Sequence, residues 1–170
     1  MNELLDGVLY EKPCPLINHA RISRNISKIF GSCCCSVKIY LDEKNEPAPD
    51  AVIIRDKEIT KKPDLVVEIL SPSTLKRDRG YKKDLYERHG IKEYWIVDDE
   101  KLSIEVYWFE SGKYLLHNIF VILPDYEAAN MTEEQLAEYP TQFKTSLFDD
   151  LTIDLKDVFV DVYENVLMRC

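Results

Sequence analysis

Asp50, Glu68 and Lys82 are the residues of this 170-residue chain whose types and spacing could do chemistry. Asp50 stands at the mouth of the apolar run 51–54, and Glu68 lies inside the next such run, PDLVVEIL. If that run is a strand, Asp64, Val66, Glu68 and Leu70 share one face and Leu65, Val67 and Ile69 the other. A carboxylate in so apolar a strand is costly to bury unless it is paired or binds a metal. Should the two strands be neighbours, both carboxylates reach one end of a sheet. Two such oxygens suit Mg²⁺ (or Mn²⁺), with water and substrate phosphate completing the octahedron. An ion held this way acidifies water and offsets the charge of a phosphodiester transition state, and a nearby lysine adds a fixed positive charge. Asp78, Lys82 and Tyr86, spaced four apart, line one helical face, so Lys82 can turn toward Glu68 while Lys83 points about 100° away.

The same residues allow a plainer reading. Carboxylates at sheet ends are often solvated, and Asp78 with Lys82 could be an ordinary helix ion pair of little energy. Asp64 reads as a solvated turn residue and His19 as a surface or capping residue. Trp95, Trp108 and the ten tyrosines read as core and edge material.

The elements that must position these groups follow from the apolar pattern. Asp6–Gly7 signals a turn, with a short strand at 8–11 before Pro13 and Pro15. Asn18 reads as the N-cap of a helix from His19, with Ile22, Ile26, Ile29 and Phe30 on its apolar face and Gly31 as its stop. Residues 35–41 alternate as a strand. A polar loop, DEKNEPAP, precedes the 51–54 strand, and a charged connection spans 55–62. After Leu70, Ser73 or Thr74 is available to cap a helix over 75–89, which Gly90 ends. Strands are expected at 93–97, 102–109, 114–116, 119–123 and 151–153. Thr132 and Gln135 form a capping box, and a helix opens at Leu155. The fold class is α/β (α+β), a single domain over 1–170 with a mixed central sheet.

Composition narrows the function. No apolar run approaches the ~18 residues of a membrane span, and MNELLDGVLY is not a secretory leader, so a cytoplasmic protein without membrane contact is expected. Cys14, Cys33, Cys34, Cys35 and Cys170 lack paired spacing and read as reduced thiols. The net charge of −9 argues against generic nucleic-acid binding. The segment 75–92, however, holds seven basic and three acidic residues, a net of +4, and adjoins Glu68.

The run PDLVVEILSPSTLKRDRGYKKDLYERHGIKEYWIVD resembles the signature of the Uma family, a bacterial group assigned to the PD-(D/E)XK restriction-endonuclease-like superfamily. LDGVLYE, His19, the Pro49–Asp50 pair and LTIDLKDVF are also similar to family features, so the resemblance spans nearly the whole chain. It implies an αβββαβ restriction-endonuclease-like core, with added strands, and a nuclease-like metal centre. Asp50 matches the PD aspartate and Glu68 the acidic residue of the third core strand. The lysine usual two positions later is replaced by Leu70, and Lys82 matches the position of a lysine migrated to the next helix. By the same resemblance the Ile69 carbonyl is a further metal ligand, and His19, Ser71, Ser73, Asp78 and Tyr86 are family-typical.

The expected function is therefore metal-dependent hydrolysis of phosphodiester bonds in DNA. Asp50 and Glu68 hold the ion, Lys82 faces the transition-state charge, and Lys76, Arg77, Arg79 and Lys83 contact phosphates. A homodimer would suit double-strand cleavage. Two other readings fit the sequence: a nuclease-fold binding or regulatory module with little or no cleavage, and an oligomeric scaffold using 102–109 as an exposed edge.

Overall fold

The computed structural model describes residues 2–12, 16–31, 34–35, 37–55 and 62–162. Pro13, Pro15, Cys14, Cys33, Cys170 and most of the 55–62 connection lie outside the described residues.

Strands β1 (Asn2–Leu5) and β2 (Val8–Glu11) form an antiparallel hairpin. Its two-residue loop has Asp6 at φ 51° and Gly7 at φ 75°. Positive φ at both central positions matches the right-handed twist of the strands, which explains the Asp-Gly pair. The hairpin is fastened to the chain before β4 by Leu4 and Glu46, whose N–H groups donate to each other's carbonyls at 3.1 and 2.8 Å.

Helix α1 (Ile17–Phe30) buries His19, Ile22, Asn25 and Ile26 and ends at Gly31, φ 66°. The expected N-cap is corrected here. Leu16 occupies that position without a side-chain cap, and Asn18, already helical, donates to Asp99 Oδ2 at 3.1 Å.

The six-stranded sheet runs β3 (Cys34–Cys35), β4 (Ala51–Ile53), β5 (Leu65–Ile69), β6 (Glu93–Asp98), β7 (Ser103–Glu110) and β8 (Lys113–Val121). β5 and β6 are parallel; the other pairs are antiparallel. A parallel pair needs a crossover, here α2 (Leu75–Arg77), a π-helical turn (Asp78–Lys82) and α3 (Lys83–Arg88). Alternation along β5 sorts the core. Leu65, Val67 and Ile69 pack with Ile22 and Ile26 of α1, while Val66 and Leu70 pack with Leu85 and Tyr86 of α3. Glu68 has the parity of the α3 side.

Beyond the sheet lie α4 (Asp125–Ala128), α5 (Glu133–Ala137), the antiparallel pair β9 (Gln142–Lys144) and β10 (Thr152–Asp154), and α6 (Leu155–Val158). The Thr132–Gln135 capping box is formed. β9 has no counterpart in the sequence reading.

Three strand expectations are corrected. Among the described residues of the expected 35–41 strand only Cys35 pairs in the sheet, as part of β3 with Cys34. Ile39 and Leu41 instead donate their N–H groups to Pro47 and Asn45 carbonyls, closing a local loop. The expected strands 114–116 and 119–123 are one strand, β8, because pairing with β7 continues across a bulge at Val106/Tyr107. The run 102–109 is not an edge, since β7 lies between β6 and β8. These elements are the mixed α+β architecture with a helix-flanked central sheet expected from the sequence.

Candidate active site

Register brings Asp50 to Glu68. Ala51 pairs with Val67, and the Asp50 N–H donates to the Val67 carbonyl at 3.1 Å. The Asp50 carboxylate then folds over the strand end, with Oδ2 accepting from Ile69 N–H at 2.7 Å. Its other oxygen, Oδ1, accepts from Lys12 Nζ at 2.8 Å, and the same ammonium donates to the Ala48 carbonyl at 2.6 Å. Lys12 follows β2, so the N-terminal hairpin reaches into the site.

Glu68 is 1% exposed. Its Oε1 accepts from Lys82 Nζ at 3.0 Å and Tyr86 OH at 2.7 Å. Both donors use one oxygen; among the described residues Oε2 accepts no hydrogen bond. The expected helical face is real, but it meets a larger cluster. Lys82 Nζ also lies 3.0 Å from Glu3 Oε2 and 3.5 Å from Asp78 Oδ1. Arg77 supplies the second cation, donating to Glu3 Oε1 at 2.9 Å. Three carboxylates thus surround one buried ammonium, which must shift their protonation.

Burial pushes the Glu68 carboxyl up to about 8 against the pull of Lys82. Burial likewise raises Asp78. Glu3 has the same desolvation to overcome, yet Lys82 and Arg77 together hold its carboxyl below the usual range. Lys82 is desolvated too, but Glu68, Asp78 and Glu3 hold its ammonium well above its ordinary value. It is a fixed cation, with no role as a base.

The π-helical turn Asp78–Lys82 falls where these charges meet. Tyr94 OH donates to the Asp78 carbonyl in this widened turn at 3.0 Å. Such turns recur at functional sites because they re-aim side chains that an α-helix would stack.

His19 is corrected from surface or capping residue to buried group. At 8% exposed, its Nε2–H donates to the Ile69 carbonyl at 3.0 Å, and Nδ1 has no partner among the described residues. A cleft of about 270 Å³ opens between these elements, lined by Lys12, His19, Asp50, Glu68, Ile69 and Lys82, with Ser71, Pro72, Ser73 and Thr74 on the turn after β5. Ser71 Oγ lies 3.1 Å from Ser73 Oγ and 2.9 Å from Thr74 Oγ1.

The basic helix is less free than its charge suggests. Arg77 is paired with Glu3 and lies over the Tyr10 ring, Arg79 pairs with Glu105, and Lys83 lies over the Tyr107 ring. Lys76 is exposed. Asp64 is corrected as well: its side chain is 14% exposed and held by Lys92 at 2.6 Å and Arg55 at 3.5 Å. Those residues line a more open groove of about 550 Å³ at the other end of β5.

Sequence reasoning missed Glu3 and Lys12. The alternation of β1, with Glu3 on the parity of buried Leu5, was the available signal for the first. It also missed Glu93, fully buried at the start of β6. Glu93 Oε1 accepts from Trp95 Nε1, and Oε2 accepts from Thr145 Oγ1 and from Ser146 N and Oγ. With both oxygens satisfied by neighbouring donors, Glu93 is structural.

Among the described residues no three His, Cys, Asp or Glu side chains gather as metal ligands. The donors at the cleft are instead two carboxylates and the Ile69 carbonyl. This all-oxygen set fits a hard divalent cation that keeps several waters.

The family Uma2, described as "Putative restriction endonuclease", matches residues 1–137. The uncharacterized protein slr1290 of Synechocystis sp. is 32% identical over 135 residues, covering 69% of this chain and 71% of that protein. The crystal structure of "a putative nuclease belonging to DUF820" from Anabaena variabilis superposes with a TM-score of 0.68 at 18% identity, covering 95% of this chain and 90% of that one. At that identity the likeness is one of fold.

Proposed function

Because the chain belongs to the Uma2 family, we propose that it is a metal-dependent nuclease hydrolysing phosphodiester bonds in DNA. The observation that carries this reading is the meeting of Asp50 and Glu68 at one cleft from neighbouring strands, with the Ile69 carbonyl beside them.

In this reading Asp50, Glu68 and Ile69 hold Mg²⁺ or Mn²⁺. The bound ion supplies an acidified water and charge neutralisation at the phosphoryl group. The chain's own residues do the rest. Lys82 and Tyr86 fix Glu68 through Oε1, which leaves Oε2 for the cleft. His19 orients the Ile69 carbonyl. Ile69 N–H turns the Asp50 carboxylate toward Glu68. The Ser71, Ser73 and Thr74 hydroxyls at the rim suit phosphate oxygens. Lys76, exposed at the start of the helix, adds a positive charge after that rim. Water adds across the ester bond, its oxygen to phosphorus and a proton to the leaving oxygen.

The test is a Mg²⁺/Mn²⁺ titration with DNA and RNA substrates, comparing wild type with Asp50→Asn and Glu68→Gln. Each substitution should lower cleavage at least about 100-fold and weaken Mn²⁺ binding measured by calorimetry. Cleavage unaffected by both would reject the site.

A further inference from the structure

Among the described residues the cleft holds two lysines, and only one of them is open to a substrate. A lysine ammonium carries three N–H donors. Lys82 donates to Glu68 Oε1 at 3.0 Å and is ion-paired with Glu3 and Asp78 at 3.0 and 3.5 Å, and its side chain is 1% exposed. Burial behind these carboxylates keeps its ammonium from a substrate. A phosphate approaching Lys82 would also meet three carboxylates.

Lys12 is placed differently. Among the described residues its ammonium makes two contacts, with Asp50 Oδ1 and the Ala48 carbonyl, which leaves one N–H. Its side chain is 19% exposed and lines the cleft beside Asp50 and Glu68. It arrives at the end of the N-terminal hairpin, on the carboxylate that Lys82 does not touch.

We propose that Lys12 is the catalytic lysine, donating a hydrogen bond to a non-bridging oxygen of the scissile phosphate, and that Lys82 is a positioning residue behind Glu68. This rests on the nuclease reading above. In the reaction, the water oxygen bonds to phosphorus, the phosphorus–ester oxygen bond breaks, and the leaving oxygen takes a proton from solvent. Lys12 keeps its own proton throughout and stabilises the charge on the non-bridging oxygen. The division of labour follows from burial: a shielded ammonium tunes a ligand, and a partly exposed one meets the substrate.

The experiment compares wild type, Lys12→Met and Lys12→Arg by thermal melting, Mn²⁺ calorimetry, affinity for a short fluorescein-labelled DNA duplex in Ca²⁺, and cleavage in Mg²⁺. Lys12→Met should still fold, melting below wild type because Asp50 and the Ala48 carbonyl lose a partner, and bind Mn²⁺ at least as tightly, because a positive charge beside Asp50 is gone. It should bind the duplex about tenfold more weakly and cleave about 100-fold more slowly, with Lys12→Arg restoring part of both. Duplex affinity and cleavage both within about threefold of wild type would overturn the assignment. Loss of Mn²⁺ binding in Lys12→Met would also overturn it, by making Lys12 a support of the metal site. If the chain binds Mn²⁺ but cleaves nothing, the duplex measurement decides: the tenfold loss sustains the Lys12–phosphate contact, and no loss overturns it. The nuclease reading fails in its own way, when wild type cleaves neither DNA nor RNA and Asp50→Asn leaves the Mn²⁺ isotherm unchanged. That result removes both.

Discussion

Glu3 Oε2 and Lys82 Nζ, from the first strand and from the helix after β5, lie 3.0 Å apart with both side chains 1% exposed. Glu3→Gln keeps the shape but removes the charge that Lys82 and Arg77 share. Lys82 retains Glu68 and Asp78, so the loss should be about 1–3 kcal/mol, rising to about 3–5 kcal/mol for Glu3→Ala, which also removes the contact. Urea denaturation at neutral pH measures both. Because the folded Glu3 carboxyl is depressed, its contribution is present above its unfolded value and is lost as pH falls through the folded value. The gap between wild type and Glu3→Gln should therefore close in acid.

Glu68 has the opposite sign. Burial raises its carboxyl from 4.5 to about 8, so between those values the folded chain binds a proton that the unfolded chain has released. This contribution is complete below the unfolded value and is lost as pH rises through the folded one, at no more than about 1.4 kcal/mol per pH unit. Glu68→Gln cannot titrate. Urea midpoints across pH 5–9 should fall more steeply for wild type than for this variant, and parallel curves would contradict the shift.

Glu93 anchors the segment before β10 to β6 through three donors of Thr145 and Ser146, and also accepts from Trp95 of β6 itself. Glu93→Ala strands the buried Trp95 and Thr145 donors and should cost about 3–5 kcal/mol. Its effect should appear in stability alone. Mn²⁺ binding of the folded fraction, read by calorimetry below the melting range, should match wild type.

Gly80 sits in the π-helical turn without a positive φ, and a Cβ added there meets nothing within 4 Å. Gly80→Ala should therefore stabilise the protein by about 0.4–1 kcal/mol, chiefly by restricting the unfolded chain. A rise in the urea midpoint at unchanged slope checks this.

What the sequence reveals and what it hides divide along range. Val66, Glu68 and Leu70 declared their shared face by alternation, and Lys82 and Tyr86 declared theirs by the helical period, because those relations are set within one element. The Asp50–Glu68 meeting needed only the assumption that consecutive strands pair. Alternation in β1 could mark Glu3 as buried but not name its partners, and no local period marks Lys12, since the partners of both lie in distant parts of the chain. His19 was misjudged for the same reason: its environment is the Ile69 carbonyl on another element. The π-helical turn was hidden too, because the residues 78–82 fit an α-helical pattern equally well.

The hairpin β1–β2 brings Glu3 and Lys12 together on a single small device, and biosynthesis gives that arrangement a direction in time. Both charges are made before Asp50 and Lys82 exist, so the hairpin must wait, solvated, until β5 and the helix after it have emerged. A protease removing β1 from the finished protein would unseal Lys82. The cleft cannot close until residues 50–82 have been made, although two of its charges precede them in the chain.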